Sequence, residues 1–208
     1  MFTQYKKILW RIPFVGVFAI TSLALSSLAQ AEGWYAGVGF GQSKVQDFFE
    51  CDLDITCTAD DTDTGWKLYL GNQFSPNAAV EFGYVDLGQQ KISGTDTVLG
   101  TVSLDTEAKG FDVALVGFLP VGNQFNLLGK IGLFRWDADI SASSTAFGSG
   151  SDSETGFELM FGFGASFDIA KTVAVRIEWE RFTDVGDEDV TGTSDVDLLS
   201  ASLVFKFK

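Results

Sequence analysis

The sequence predicts an all-β protein, an eight-stranded antiparallel up-and-down transmembrane β-barrel. Three observations carry that expectation. Apolar residues recur at every second position through eight separate segments, the period of a strand with one greasy face. The opposite face of those segments is mostly Gly, Ala and Ser with isolated charges, too small and too sparsely charged for the wet face of a soluble sandwich. The composition joins 46% hydrophobic residues to a formal net charge of -14 over 208 residues, a pairing that ordinary acidic soluble domains do not show.

The chain opens with a segment that is not part of the barrel. Lys6, Lys7 and Arg11 precede a largely apolar run from Ile12 to Leu28, and Ala29-Gln30-Ala31 supplies the small-x-small pattern of a signal-peptidase site. Residues 1–31 therefore read as a cleaved export signal and 32–208 as the barrel domain. Removing the signal's three positive charges takes the net charge from -14 to -17. No later apolar run is long enough for a helical span, so insertion must use strands.

The first strand alternates Trp34, Ala36, Val38 and Phe40 with Tyr35, Gly37, Gly39 and Gly41. The second sets Trp66, Leu68, Leu70 and Phe74 against Lys67, Tyr69, Gly71 and Gln73. After Ser75-Pro76-Asn77, a turn sequence, the third sets Val80, Phe82 and Tyr84 against Glu81, Gly83 and Val85. The fourth places Phe111, Val113, Leu115 and Leu119 opposite Asp112, Ala114 and Val116, and ends at Pro120-Val121-Gly122-Asn123. The fifth pairs Leu127, Ile131 and Leu133 with Lys130 and Gly132. The sixth runs Phe157, Leu159, Phe161, Phe163, Ala165 and Phe167 against Glu158, Met160, Gly162, Gly164 and Ser166. The seventh sets Val173, Val175, Ile177 and Trp179 against Ala174, Arg176, Glu178 and Glu180. The eighth sets Leu199, Ala201, Leu203, Phe205 and Phe207 against Ser200, Ser202, Val204 and Lys206.

Links after the second, fourth and sixth strands are short, whereas those after the first, third, fifth and seventh are long. Short periplasmic turns and long outer loops give the same asymmetry, and both termini then fall in the periplasm. The Ser- and Gly-rich stretch from Ser141 to Ser153 reads as a mobile outer loop.

Several chemistries are excluded. Without histidine there is no His-based triad, general base or metal site. The acidic balance argues against nucleic acid. Glu178 and Glu180, two apart on one strand, share a face, but nothing nucleophilic is paired with a base, so no enzyme activity and no cofactor are expected. Trp34, Trp66, Tyr84 and Trp179 lie near the ends of the apolar stripes, where interfacial aromatics anchor a barrel. Cys51 and Cys57, in the first long link, are expected to form a disulfide in an exported protein. The acids Asp47, Glu50, Asp52, Asp54, Asp60, Asp61 and Asp63 there, with Asp184, Asp187, Glu188, Asp189 and Asp195 in the last link, match no ordered calcium loop and read as a solvated surface.

The segments Gly33-Trp34-Tyr35-Ala36-Gly37, Val80-Glu81-Phe82-Gly83-Tyr84, Val175 to Phe182 and Asp197 to Phe205 together resemble the OmpA-like transmembrane domain family of bacterial outer membranes. The resemblance implies delivery by periplasmic chaperones and the outer-membrane assembly machinery, a setting of outer-membrane lipid and lipopolysaccharide, and a monomeric barrel. It also implies that Glu81, Lys130 and Arg176 occupy places where such barrels carry a lumenal ion-pair network that blocks or gates a narrow water path. Lys67, Asp112, Glu158 and Glu178 face the same lumen. Two departures stand out. The peptidoglycan-binding domain that follows many such barrels finds no residues after Lys208, so cell-wall tethering is not expected, and Lys208 follows the terminal aromatic Phe207. The resulting expectation is a structural, surface-exposed barrel serving envelope integrity, with adhesion or host contact by its loops. A narrow gated channel is the alternative, ahead of a lipid-modifying enzyme and a soluble lipocalin-like carrier.

Overall fold

A computed structural model describes residues 33–46, 56–96, 100–146, 148–186 and 193–207. Within them the chain runs β1 (Gly33–Val45), β2 (Thr56–Asp60), β3 (Thr62–Ser75), β4 (Ala78–Asp96), β5 (Gly100–Val121), β6 (Phe125–Ser144), β7 (Gly148–Ala170), β8 (Val173–Val185) and β9 (Ser194–Phe207). The short β2 and β3 are separated by Asp61 alone and both pair antiparallel with β4, so together they make one column. Eight columns result, as the alternation predicted.

The sheet closes on itself. β1 pairs with both β3 and β9, and β4 pairs with both β3 and β5. Pairings β5–β6, β6–β7, β7–β8 and β8–β9 complete the ring, all antiparallel. Closure removes the unpaired backbone edges that lipid cannot solvate.

Side-chain alternation around this ring is inverted relative to a soluble barrel. Phe40, Ile131, Phe157 and Phe163 are each more than 60% exposed on the outer wall, while Lys67, Glu81, Lys130 and Arg176 are buried inside. A contiguous outer belt of this kind is stable only against lipid.

Glycine makes the narrow interior workable. Tyr35 faces Gly71 and Tyr69 faces Gly37 across the β1–β3 pair. A β-carbon on Gly37 would fall on the Tyr69 ring, and one on Gly71 on the Tyr35 ring. Each tyrosine thus lies over the space its partner glycine leaves, a cross-strand aromatic–glycine pairing.

One expectation fails. The β4–β5 and β6–β7 links, and the Ser141 to Ser153 stretch in particular, are not long loops; the strands continue through them. Ser144 pairs with Gly148, and Ser141 with Ser151, so the predicted mobile loop is the tip of a hairpin. Its composition hides the period. Inward Ala138, Ile140 and Ala142 still alternate with outward Asp139, Ser141 and Ser143, and the hydroxyls of Ser103 and Ser143 lie 2.7 Å apart across β5–β6.

Column lengths define the consequence. A tilted strand crosses a bilayer in about 9–11 residues. β1, β8 and β9, with 13, 13 and 14 residues, need little more than that. β5 and β7 have 22 and 23. About ten residues of β4–β7 therefore stand above the belt, roughly 30 Å of strand length at a strand's rise per residue. At the base of this tall sheet β4 carries a bulge between Asp86 and Gln89, where Gly88 adopts φ 76°. There the Gly88 N–H donates to Asp86 Oδ1 (2.9 Å) and the Gln89 N–H to Asp63 Oδ2 (2.6 Å). A residue with a β-carbon is strained at that φ.

Candidate functional site: the closed lumen

Residues two apart on a strand share a face, so Arg176, Glu178 and Glu180 of β8 all point inward. Opposite them the ring delivers Lys67 from β3, Glu81 from β4 and Lys130 from β6, every one buried. The six form one connected network. Arg176 Nη1 lies 2.6 Å from Glu81 Oε1, and Lys130 Nζ bridges Glu81 Oε2 at 3.1 Å and Glu180 Oε1 at 2.8 Å. Lys67 Nζ bridges Glu178 Oε2 at 2.7 Å and Glu180. Three cations balance three carboxylates, and charge pairing is what allows ionised groups to persist in such a place.

Aromatic rings complete the cage. The Tyr35 hydroxyl donates to Glu81 Oε1 at 2.7 Å. The Arg176 guanidinium carbon stands 5.3 Å from the Tyr35 ring centre, 5.1 Å from that of Tyr69 and 5.7 Å from that of Phe118, within cation–π range.

The lumen-facing residues expected from sequence divide cleanly. Glu81, Lys130, Arg176, Glu178 and Lys67 are brought together. Asp112 is buried on the same wall, beside Gly83, but stands outside the ion pairs. Glu158 sits higher on β7, half-buried, and does not reach the network. Glu180 belongs at its centre, and Glu178 and Glu180 are spent as counterions of Lys67 and Lys130 rather than left as a bare carboxylate pair.

Sequence reasoning missed the apolar filling above the network. Leu87, Phe134, Met160, Phe182 and Leu198 are fully buried, and Trp136 nearly so, in one cluster. The Phe134 and Phe182 rings lie 4.6 Å apart. The signal was present as the continuation of β6 beyond Leu133, where inward Phe134 and Trp136 alternate with outward Arg135 and Asp137. A second apolar cluster, with Ala79, Val116, Leu128, Ala174 and Val204, lies on the short-turn side. The lumen is thus layered: apolar, ionic, apolar.

The aromatic residues mark the ends of the outer belt. Trp34 pairs with Phe207 beside the short turns. At the other end Trp66 and Tyr84 rings are 5.4 Å apart and Tyr84 and Phe111 5.1 Å, and Trp179 ends the apolar stripe of β8 below Arg181. The belt stops abruptly on β5–β7. The register row Phe111–Arg135–Phe157 is followed by Lys109–Asp137–Thr155 and then Glu107–Asp139–Ser153. Lys109 Nζ lies 3.0 Å from Asp139 and 3.1 Å from Glu107, and hydrogen bonds to these carboxylates hold its ammonium well above the usual lysine range.

Cys51, Asp47, Glu50, Asp52, Asp54, Asp187, Glu188 and Asp189 lie outside the described residues, as do residues 1–31. Cys57 is placed on β2 opposite Gly94 of β4. Other acids of the links serve as counterions: Asp61 lies 3.6 Å from Lys44, and Asp195 and Asp197 lie 3.4 Å and 2.6 Å from Arg181.

A family model described as OmpA-like transmembrane domain matches residues 29–208. Outer membrane protein A of Salmonella typhi is 26% identical over 196 residues, which cover 91% of this chain and 53% of that protein. Outer membrane protein A of Shigella flexneri is 25% identical over 194 residues, covering 91% and 54%. The chain spans about half the length of these curated relatives. Among solved structures, Neisserial surface protein A superposes with a TM-score of 0.56 at 13% identity, covering 85% of this chain and 99% of that one. Ail, the attachment invasion locus protein of Yersinia pestis, gives 0.52 at 18% identity with the same coverage. These likenesses show the fold.

Proposed function

The chain belongs to the OmpA-like transmembrane domain family, a family of bacterial outer-membrane β-barrels, and from that premise we propose that it is a non-conducting structural barrel whose tall end forms an exposed surface. The observation that carries this reading is the layered lumen. A water path along the axis would have to cross the packed Phe134, Met160 and Phe182 side chains and then a network in which every formal charge has a partner. Export by a signal at residues 1–31, handling by periplasmic chaperones and the assembly machinery, contact with lipopolysaccharide, and a Cys51–Cys57 disulfide shaping the first link belong to the same proposal. Adhesion or host contact by the tall end is part of the proposal; Ail, a barrel of the same fold, is named for attachment and invasion.

Planar-bilayer recording of the purified barrel tests the central point. Silence from the wild-type protein is the expected result, and silence also from the double variant Phe134→Ala, Phe182→Ala, which leaves the ionic layer and the lower apolar cluster in place. Steady wild-type conductance that changes in Arg176→Ala overturns it in favour of a narrow gated channel. One observation favours that second reading: Arg176 Nε and Ser200 Oγ are buried without protein hydrogen-bond partners among the described residues. Such polar atoms call for water beneath the apolar layer.

A further inference from the structure

Above the belt the ring is open among the described residues. β7 pairs with β6 without interruption from Phe125↔Phe167 to Ser144↔Gly148, but its pairing with β8 begins only at Met160↔Phe182. Residues 148–159 therefore have a strand on one side and, among the described residues, none on the other. Three hydrogen bonds identify which backbone groups face the gap. The Asp168 N–H donates toward β6, to the Gln124 carbonyl at 2.8 Å, so even-numbered residues bond to β6. The Leu159 carbonyl accepts from Thr183 Oγ1 of β8 at 3.0 Å, and the Ser153 N–H is taken up by the neighbouring Asp152 Oδ1 at 2.9 Å. No register shift interrupts β6–β7, so Ser149, Ser151, Ser153, Thr155 and Phe157 all turn their N–H and C=O groups to the open edge.

Exposed edges are ordinarily blunted by proline, a bulge or charged side chains, lysine above all. This stretch, Gly148 to Leu159, contains no lysine, proline or bulge, and its only guard is acidic, which repels a like-charged strand and not a cationic one. Its small residues Ser149, Gly150, Ser151, Ser153 and Gly156 let another backbone approach. Its charge is of one sign: Asp152, Glu154 and Glu158 share the even-numbered face. A strand added to this edge would place alternate side chains directly across from those carboxylates, in non-hydrogen-bonded pairs where side chains come closest. A second copy of this chain would bring acid against acid. A cationic strand would bring attraction.

We propose that the upper edge of β7 is a docking site for an extended peptide segment of another protein, bound by strand addition and selected by Lys or Arg at alternate positions. The inference rests on the reading of the tall end as the exposed surface, though the binding itself is independent of which side that end faces.

The test uses the full barrel in lipid nanodiscs and an eight-residue peptide alternating Lys with Thr or Val. Binding by fluorescence anisotropy is expected. Hydrogen exchange should slow at the amides of Ser149, Ser151, Thr155 and Phe157, with the even-numbered amides, already paired to β6, unchanged. The same peptide N-methylated at alternate residues keeps its charge and loses its strand donors, and should not bind. The double variant Asp152→Lys, Glu154→Lys should weaken binding by about tenfold or more, as opposed charges become like ones. Absence of binding, equal binding of the N-methylated peptide, or binding without the alternate amide protection overturns the proposal, as does self-association of barrels along this edge without peptide. Protease access to the β6–β7 tip on intact cells reports separately on sidedness; its failure would overturn the exposed-surface reading and leave the nanodisc result standing.

Discussion

Replacing Arg176 by Met gives the sharpest view of the lumenal network. Methionine fills much of the same volume among Tyr35, Tyr69 and Phe118, so the perturbation is chiefly the loss of a buried charge. Removing one partner of a buried ion pair costs about 3–5 kcal/mol, because the other charge is left uncompensated. Here Glu81 keeps Lys130 at 3.1 Å and the Tyr35 hydroxyl at 2.7 Å, which places the expected loss near the lower figure, about 3 kcal/mol. The assay is reversible urea unfolding in lipid vesicles, followed by tryptophan fluorescence and by the mobility shift of unboiled barrel. Glu81→Gln alone should cost a similar amount, since it takes from Arg176 its 2.6 Å counterion and leaves Lys130 to Glu180. The double variant should be less damaging than the sum of the singles by about 1–3 kcal/mol, the coupling of residues in one network. Additivity within about 0.5 kcal/mol would refute the reasoning, because sites that do not share partners behave in that way.

Three further outcomes follow from the same geometry. Ile131→Lys, at mid-height of the outer belt between Leu115 and Phe161, should destabilise the folded barrel by about 2–4 kcal/mol, whereas Ser143→Lys on the tall sheet should stay within about 0.5 kcal/mol, both by the same urea assay. Gly37→Ala should cost about 1–3 kcal/mol by driving its methyl into the Tyr69 ring, and Tyr69→Ala in the same chain should relieve most of that added cost, read as a non-additive cycle. Gly88→Ala should unfold at lower urea than wild type by about 1–3 kcal/mol, from its left-handed φ and from a methyl pressed onto Asp63 and the Thr64 carbonyl, while leaving the Arg176–Glu81 coupling unchanged.

The eight spans were legible because the belt and the lumen obey a strict two-residue period. Wherever an apolar outward residue faced a small or charged inward one, as at Leu68 beside Lys67 or Phe82 beside Glu81, one face had to be lipid and the other lumen. The tall sheet is illegible for a physical reason. Above the belt both faces meet water or each other, so Ser103, Ser141 and Ser143 give no apolar signal, and Ser-rich composition reads as loop. The identity of the ion pairs was equally hidden. That Glu81, Lys130 and Arg176 face inward follows from period, but that Lys67 chooses Glu178 and Glu180 depends on the stagger of β3 against β8, two strands with β1 and β9 between them. Phe134 and Trp136 are different: they continue the alternation of β6 past Leu133, so their inward facing is legible from period.

A membrane-spanning ring with lipid outside, a closed lumen inside and a boundary at the Phe111–Arg135–Phe157 row is tested most directly by spin labels placed singly along β6 from Leu127 to Ser143 in reconstituted bilayers, through collision with dissolved oxygen and with a water-soluble nickel chelate. Labels at Leu127, Ile131 and Leu133 should meet oxygen and not nickel, those at Asp139, Ser141 and Ser143 should meet nickel, and those at Lys130, Phe134 and Trp136 should be shielded from both. Nickel access at Ile131, or free nickel access at Phe134, would contradict it.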